Sequence, residues 1–412
     1  MATLYSRSSL RLGLPLVGLL ALVACGPDAP PPPEPVRIGE IAPLTGPEAS
    51  YGQSVHNGIA LATKQRNDAG GIDGRPVSIT NVDDHGSADE ASAAATKLIT
   101  QDKVVALLGE VGSANSVAAA RVAQASGVPM VAPAATAAEV TAVGDRIFRA
   151  CFVDTYQGYV AARFVREHQK LGKVAVLFDA NVAYSTGLKA AFAADLAAMG
   201  GTIVAEQAYA SGDASFATQL QAIKESGAEA LFVPGYYGDV GKIAVEARSL
   251  GLTVPLVGGD GWGSAQLSQI AGDAIEGSTY TSHYIHDDPR PEVKAFVEAY
   301  QAAYGTVPDA QAALGYDAAR MLFDAIDRAD STDGAAVTAA LASTRGFGGV
   351  TGQIDIDASR NARKAAVMVQ MKGGRPTYVI DIHPSEVPVT APATPADAAP
   401  ASAPVEAAPS AK

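Results

Sequence analysis

Short apolar runs that predict β-strands alternate along the middle of this 412-residue chain with longer segments of helical periodicity. Val36–Ile41 predicts a strand, Tyr51–Asn67 a helix, and Val77–Val82 the next strand. Parallel strands need a long crossover connection between them, which is usually a helix. The alternation therefore predicts a parallel sheet covered by helices.

The same pattern starts a second time after the strand Val128–Ala132, with a helix at Gln157–Lys170 and a strand at Lys173–Phe178. A chain of this length is too long for one compact core. We therefore expect an α/β protein with two similar lobes, each a parallel-rich sheet sandwiched by helices, joined by a hinge that the chain crosses three times. The expected lobes are residues 36–153 plus 283–356 and residues 154–282 plus 357–383.

The N-terminal segment has the pattern of an export signal. Arg7 and Arg11 precede the apolar run Leu12–Val23, which is shorter than a membrane-spanning helix needs to be. The run ends in Leu-Val-Ala-Cys, which resembles a bacterial lipobox, so residues 1–24 are predicted to be removed and Cys25 to be lipidated. A plain secretory signal followed by a coincidental cysteine is the alternative.

Two proline-rich stretches flank the expected lobes. Residues 25–35 are predicted to form an extended tether between membrane and domain, because proline favours a semi-rigid extended chain. Residues 384–412 are rich in proline and alanine, carry little charge and show no apolar period, so we expect them to be disordered.

Composition and motifs exclude several function classes. The formal net charge of −13 argues against a nucleic-acid partner, which needs a basic face. No nucleophile elbow, phosphate loop or zinc-protease motif is present, so neither an enzyme nor a cofactor is predicted. Asn81–Gly86 and His283–Asp288 bring histidines and carboxylates together, but too few for a metal site, and we expect charged surface loops there.

Six segments occur in an order and spacing that resemble one known family. They are Ile41–Pro47 followed by Tyr51-Gly52, Asn67–Arg75, Gly109–Ser113, Pro129–Thr136, Phe148–Gly158 and Gly258–Gly263. Together they resemble the branched-chain amino acid-binding proteins of bacterial ABC transporters, in the type I periplasmic binding family. The resemblance implies a Venus-flytrap fold in which two lobes close on a ligand, and it covers nearly all of residues 36–383.

The resemblance also implies which residues hold the ligand's α-carboxylate. They are Ser113 and the loop Ala134, Ala135 and Thr136. Ser113 is expected to open a helix, where free N–H groups and the helix dipole favour an anion. A helix cap with no ligand role is the alternative for Ser113.

The remaining implied contacts lie in or near the second lobe. Asp260 corresponds to the acid that pairs with the ligand's ammonium, although Gly-Asp-Gly is also common in exposed turns. Trp262 is expected at the rim of the side-chain pocket or packed in its loop, and Asp154 at a closing contact or hinge. Cys151 is expected to be a buried apolar residue. The family's aromatic pocket walls correspond to Tyr51, Tyr184 and Tyr236.

The predicted function is a lipid-anchored extracytoplasmic clamp that captures a branched-chain, aliphatic or similar small zwitterion and delivers it to an ABC permease in the inner membrane. The alternative is an envelope lipoprotein of the same fold that senses a ligand or regulates a cell-envelope enzyme by protein contact. The intact set of Ser113, Thr136 and Asp260 favours transport. The sequence leaves the side chain of the ligand open.

Overall fold

The computed structural model describes residues 33–386. The first lobe is built on five parallel strands, β1 (Val36–Ala42), β2 (Val77–Asp83), β3 (Ala106–Leu108), β4 (Met130–Ala132) and β5 (Ile147–Arg149). Their order in the sheet is β2-β1-β3-β4-β5. The helices between them are α1 (Ala49–Asp68), α2 (Ala88–Thr100), α3 (Ser113–Ala125) and the single turn α4 (Glu139–Ala142).

The second lobe repeats this arrangement around a seven-stranded sheet. Helix α5 (Asp154–Arg163) enters it and continues as a π-helical turn to His168. The strands are β6 (Lys173–Asp179), β7 (Thr202–Tyr209), β8 (Ala230–Val233), β9 (Leu256–Gly258) and β10 (Thr279–Ser282). The helices are α6 (Ala183–Ala198), α7 (Ala217–Glu225), α8 (Tyr237–Ser249) and α9 (Ala265–Ala271). The five strands are parallel, which confirms the predicted α/β class.

The chain then returns to the first lobe. Helices α10 (Pro291–Tyr304), α11 (Ala310–Ala329) and α12 (Gly334–Ala342) follow, and α11 packs against α1. A small antiparallel sheet comes next, with strands β11 (Phe347–Gly349), β12 (Gly352–Ile356) and β13 (Ala362–Arg363).

The third crossing comes later than expected. Residues after Ile356 still contact the first lobe, because Thr141 donates to Asn361 and the Arg149 N–H donates to the Arg360 carbonyl. The chain rejoins the larger sheet only with β14 (Ala366–Lys372), which pairs antiparallel with β10, followed by β15 (Arg375–Ile382). The expected boundary at residue 357 is therefore several residues early.

Two further expectations concern the chain ends. Residues 384–386, expected to begin a disordered tail, form a helical turn held by Arg163, whose guanidinium contacts Glu386 at 2.7 Å. The signal segment, Cys25, residues 25–32 of the tether and the tail from residue 387 lie outside the described residues. Between residues 33 and 386, no helix has the length and apolar character needed to cross a membrane.

Candidate functional site

A cavity lies between the lobes, where the strands of both sheets end. It contains about 300 Å³ of space not occupied by atoms, part of which is open to solvent. The loops that follow β1, β3 and β4 supply one wall and the loops that follow β6, β8 and β9 the other. The lining residues are Glu48, Tyr51, Val111, Gly112, Ser113, Ala134, Thr136, Tyr184, Tyr236, Asp260, Gly261 and Gln311.

The first-lobe wall contains the N-terminus of α3. Gly112 is the cap residue of this helix, and Ser113 is its first helical residue. The Ser113 hydroxyl accepts a hydrogen bond from the Ala137 N–H at 3.2 Å, so it ties two loops together rather than capping the helix. The first N–H groups of a helix lack intrahelical acceptors, and they favour an anion at this end of the cavity.

The loop after β4 is fixed by hydrogen bonds from the buried Arg149. The Arg149 guanidinium donates to the carbonyls of Ala135 and Ala137, both at 2.7 Å, and is fully buried. Ala134 and Thr136 line the cavity, whereas Ala135 does not; its carbonyl is used by Arg149 and by the Cys151 thiol. The expected ligand contact of Ala135 is therefore a structural one in this geometry.

Asp260 begins a short helical turn after β9 and is only 5% exposed. Three neutral groups surround its carboxylate: the Gln157 amide and the Tyr184 hydroxyl each donate to Oδ1 at 3.0 Å, and His283 Nε2 lies 3.1 Å from Oδ2. No lysine or arginine among residues 33–386 forms a salt bridge with it. A buried carboxylate needs a positive partner, and the ammonium group of a ligand would supply one.

His283 differs from the sequence expectation. It was expected in a charged surface loop, but it is 1% exposed and its ring stacks on Phe152 with centroids 3.6 Å apart. Burial lowers the pKa of His283 to about 4, because desolvation penalises the imidazolium more than Asp260 favours it. A neutral ring can still donate a hydrogen bond to Asp260, so His283 positions the acid without neutralising it. This residue and Gln157 were missed by the sequence analysis.

Three tyrosines form the aromatic part of the wall. Tyr184 and Tyr236 are stacked with their ring planes 5° apart and centroids separated by 5.1 Å. Tyr51 meets Tyr236 edge to face at 5.9 Å, and its hydroxyl donates to the Gly261 carbonyl in the opposite lobe. Such a wall contacts the apolar or cationic part of a ligand.

Trp262 and Asp154 lie outside this wall. Trp262 is fully buried, its indole N–H donates to the Val233 carbonyl at 3.0 Å, and it does not line this cavity. Asp154 begins α5 at the lobe crossing, and Gln157 bridges it to Asp260. Burial, then the charge of Asp260, raises the pKa of Asp154 to about 8.

Carboxyl groups that the sequence analysis did not single out surround the first-lobe wall. Glu48 lines the cavity, and burial, then Asp84, raises the pKa of Glu48 to about 7. Asp84 and Glu110 are fully buried beside it, and desolvation raises the pKa of both. Gln311, at the start of α11, also lines the cavity. Sequence patterns give no signal for these residues, because the contact arises only when α1, α3 and α11 meet.

Several hydrogen bonds join the lobes at the mouth of the cavity. The Tyr237 hydroxyl donates to the Pro47 carbonyl at 2.7 Å, and the Ser50 and Ser264 hydroxyls are 2.8 Å apart. The arrangement is that of a clamp whose lobes touch, with the N-terminus of α3 and Glu48 on one face and Asp260 on the other. No cluster of three potential metal ligands occurs within residues 33–386. The fold and the cavity define a two-lobed solute-binding protein.

Comparison with known proteins assigns the family. Residues 35–375 match the family model described as periplasmic binding protein, and the chain belongs to this family of solute-binding proteins, which are not enzymes. The Leu/Ile/Val-binding protein BraC3 of Rhizobium johnstonii is 34% identical over 309 residues, covering 74% of this chain and 83% of the relative.

Two solved structures have the same fold. A leucine-binding protein of Thermotoga maritima superimposes with a TM-score of 0.82 at 35% identity, covering 85% of this chain and all of that one. A branched-chain amino acid transporter substrate-binding protein of Streptococcus pneumoniae, in complex with isoleucine, gives a TM-score of 0.81 at 32% identity with the same coverage.

Proposed function

We propose that this protein captures an amino acid between its lobes, outside the cytoplasm, and delivers it to an ABC permease. The observation that carries the proposal is the buried Asp260 carboxylate, which has neutral hydrogen-bond donors but no basic partner among the described residues. The facing wall offers the Ser113 helix end and Thr136. A zwitterion satisfies both sides, since its ammonium pairs with the acid and its carboxylate meets the amides.

Relatives support the same proposal. The similar proteins are named for binding leucine, isoleucine and valine, and a Pseudomonas aeruginosa relative also for threonine and alanine. We further propose the division into lobes 36–153 plus 283–363 and 154–282 plus 366–383, with closure about the crossings near Asp154, His283 and Lys364. Because the ligand bridges both lobes, it binds the closed state more tightly than the open one.

Replacing Asp260 tests the ammonium contact. We expect Asp260→Asn to weaken amino-acid binding by on the order of 3–5 kcal/mol, because it leaves a ligand cation buried without a counter-charge. Titration calorimetry with a panel of amino acids measures this, and each amino acid is compared with its 2-oxo acid, which lacks the ammonium. The wild type should prefer the amino acid strongly, and the variant should not.

The control is Asp381→Asn, which removes an exposed carboxylate from the same lobe and should bind like the wild type. An Asp260→Asn protein that folds normally and keeps full affinity for every amino acid it binds would remove the acid from the mechanism. If the wild type binds no amino acid, the proposed function itself is wrong.

Anchoring by a lipid at Cys25 is a separate proposal that rests on the Leu-Val-Ala-Cys sequence after an apolar run. A diacylated first residue and a proline-rich tether would hold the clamp near its permease. In cells, the wild type should fractionate with membranes, and Cys25→Ser should not. A wild type that stays in the soluble fraction contradicts the proposal of lipid anchoring. That result has no bearing on the proposed ligand site.

A further inference from the structure

Glu48 leaves a hydrogen-bond acceptor free at the first-lobe end of the cavity. It is the residue before α1, but its side chain makes no capping bond to that helix. Instead its carboxylate lies over Gly112, where Oε2 is 3.2 Å from the position that a β-carbon on Gly112 would occupy. Glu48 Oε2 is buried and has no partner among the described residues.

Gln311 provides a second, independent acceptor in the same cavity. It is 3% exposed, lines the cavity from the start of α11, and its Oε1 atom has no hydrogen-bond partner among residues 33–386. A buried polar atom without a partner is costly, so such atoms are rare in folded proteins. Two of them around one small cavity indicate a ligand that donates hydrogen bonds there.

Among the described residues, the surroundings add further carboxyl groups and no basic group. Asp84 and Glu110 lie behind Glu48, and each also has one buried oxygen without a partner. None of these three acids forms a salt bridge with a lysine, arginine or histidine of the described part of the chain, where sixteen such pairs occur elsewhere. Among residues 33–386 these acids are not part of a cluster that could hold a metal ion.

The aromatic wall suits the same occupant. Tyr51 and Tyr236 line the cavity together with Glu48, and aromatic rings attract cations as well as apolar groups. A purely aliphatic side chain would instead bury against Glu48 and Gln311 and leave both acceptors unpaired. The polar end of the cavity therefore discriminates against leucine-like ligands.

We propose that Glu48 and Gln311 form the side-chain subsite and select an amino acid whose side chain ends in an ammonium or guanidinium group. This proposal rests on the proposed function, because it takes the ligand's backbone to be held between Ser113 and Asp260. It differs from what the names of the similar proteins suggest, which is a preference for aliphatic side chains.

Calorimetry with matched ligands tests the proposal. Purified protein is titrated with L-lysine, L-arginine, L-leucine and L-citrulline, the last being nearly isosteric with arginine but uncharged. We expect lysine or arginine to bind at least tenfold more tightly than leucine, and arginine more tightly than citrulline. In Glu48→Gln, the ratio of basic to leucine affinity should fall at least tenfold.

Glu298→Gln is the matched control, because it removes an exposed carboxylate from α10 in the same lobe. It should leave the affinity ratio unchanged. Leucine binding more tightly than both basic amino acids, or an unchanged ratio in a folded Glu48→Gln protein, overturns the subsite and leaves the proposed function standing. Failure of every amino acid to bind the wild type overturns both the proposed function and the subsite. Asp260→Asn should weaken the binding of all amino acids alike, whereas Glu48→Gln should change the ratio of basic to leucine affinity.

Discussion

The buried carboxyl groups on the two walls of the cavity are held in different ways. Asp260 receives hydrogen bonds from Gln157 and Tyr184 and faces the neutral His283 ring, so its charge is stabilised by dipoles. Asp154 has one oxygen bonded to Gln157 and the other without a partner among the described residues. Burial, and then the nearby charge of Asp260, raises the pKa of Asp154 to about 8.

The raised pKa of Asp154 predicts a pH-dependent stability of the ligand-free protein. Between about pH 4 and pH 8 the folded state keeps a proton that the unfolded chain has released, so stability falls as the pH rises through this window. One such proton changes the free energy of unfolding by up to about 1.4 kcal/mol per pH unit. Asp154→Asn should remove this part of the slope. Urea unfolding of both proteins at several pH values between 6.5 and 8 measures it.

Between pH 6.5 and 8, the contribution of Asp154 to the pH dependence of stability can be distinguished from that of His283. The pKa of His283 is lowered to about 4, so the unfolded chain binds the extra proton there and stability rises with pH up to about 6.5, in the opposite direction. Above that value the imidazole contributes nothing. Glu48, with a pKa raised to about 7, contributes in the same direction as Asp154 to both proteins and cancels in the comparison. Equal slopes for wild type and variant would show that Asp154 is ionised in the folded state.

At the scale of elements, the crossing of α1 and α11 determines the shape of the first-lobe wall. Glycines on both helices let the backbones touch: a β-carbon on Gly58 would lie 2.0 Å from the Ala312 carbonyl oxygen, and one on Gly315 would lie 2.3 Å from that of Val55. This close approach brings Gln311, at the start of α11, to the cavity that Glu48 and Tyr51 line from the start of α1.

Periodicity predicted the long elements well and the short ones poorly. The helix predicted at Tyr51–Asn67 spans Ala49–Asp68, and the strand predicted at Lys173–Phe178 spans Lys173–Asp179. The three-residue strand β5 and the two-residue strand β13 were missed, because so few residues show no period and are fixed only by pairing with distant neighbours.

The residues that line the cavity also show how far local sequence patterns can predict structure. Seven of the lining residues are ones that the family resemblance implied: Tyr51, Ser113, Ala134, Thr136, Tyr184, Tyr236 and Asp260. Glu48 and Gln311 are 263 positions apart in the sequence, and no local pattern connects them. His283 was expected in a charged loop because Asp287 and Asp288 follow it closely in sequence, yet it is buried and its ring stacks on Phe152.

At the scale of the whole molecule, the contacts between the lobes help to set the free-energy difference between the open and closed states. This difference affects the affinity for any ligand that binds the closed state. The Tyr237 hydroxyl in the second lobe donates to the Pro47 carbonyl in the first, and the Tyr237 N–H donates to the Tyr51 hydroxyl at 3.3 Å. These bonds exist only when the lobes meet. They stabilise the closed state relative to the open one by the same amount whichever solute is bound.

Removing one of these bonds tests that view. Tyr237→Phe deletes the hydroxyl and leaves the Pro47 carbonyl unpaired in the closed state, while in the open state water satisfies it, so closure should lose about 0.5–1.5 kcal/mol. Affinity for every ligand should fall about 2- to 10-fold without a change in preference, and small-angle scattering of the ligand-free protein should show a larger radius of gyration. Tyr378→Phe, on the exposed strand β15, is the control. A loss confined to some ligands would mean that Tyr237 acts on the solute and not on closure.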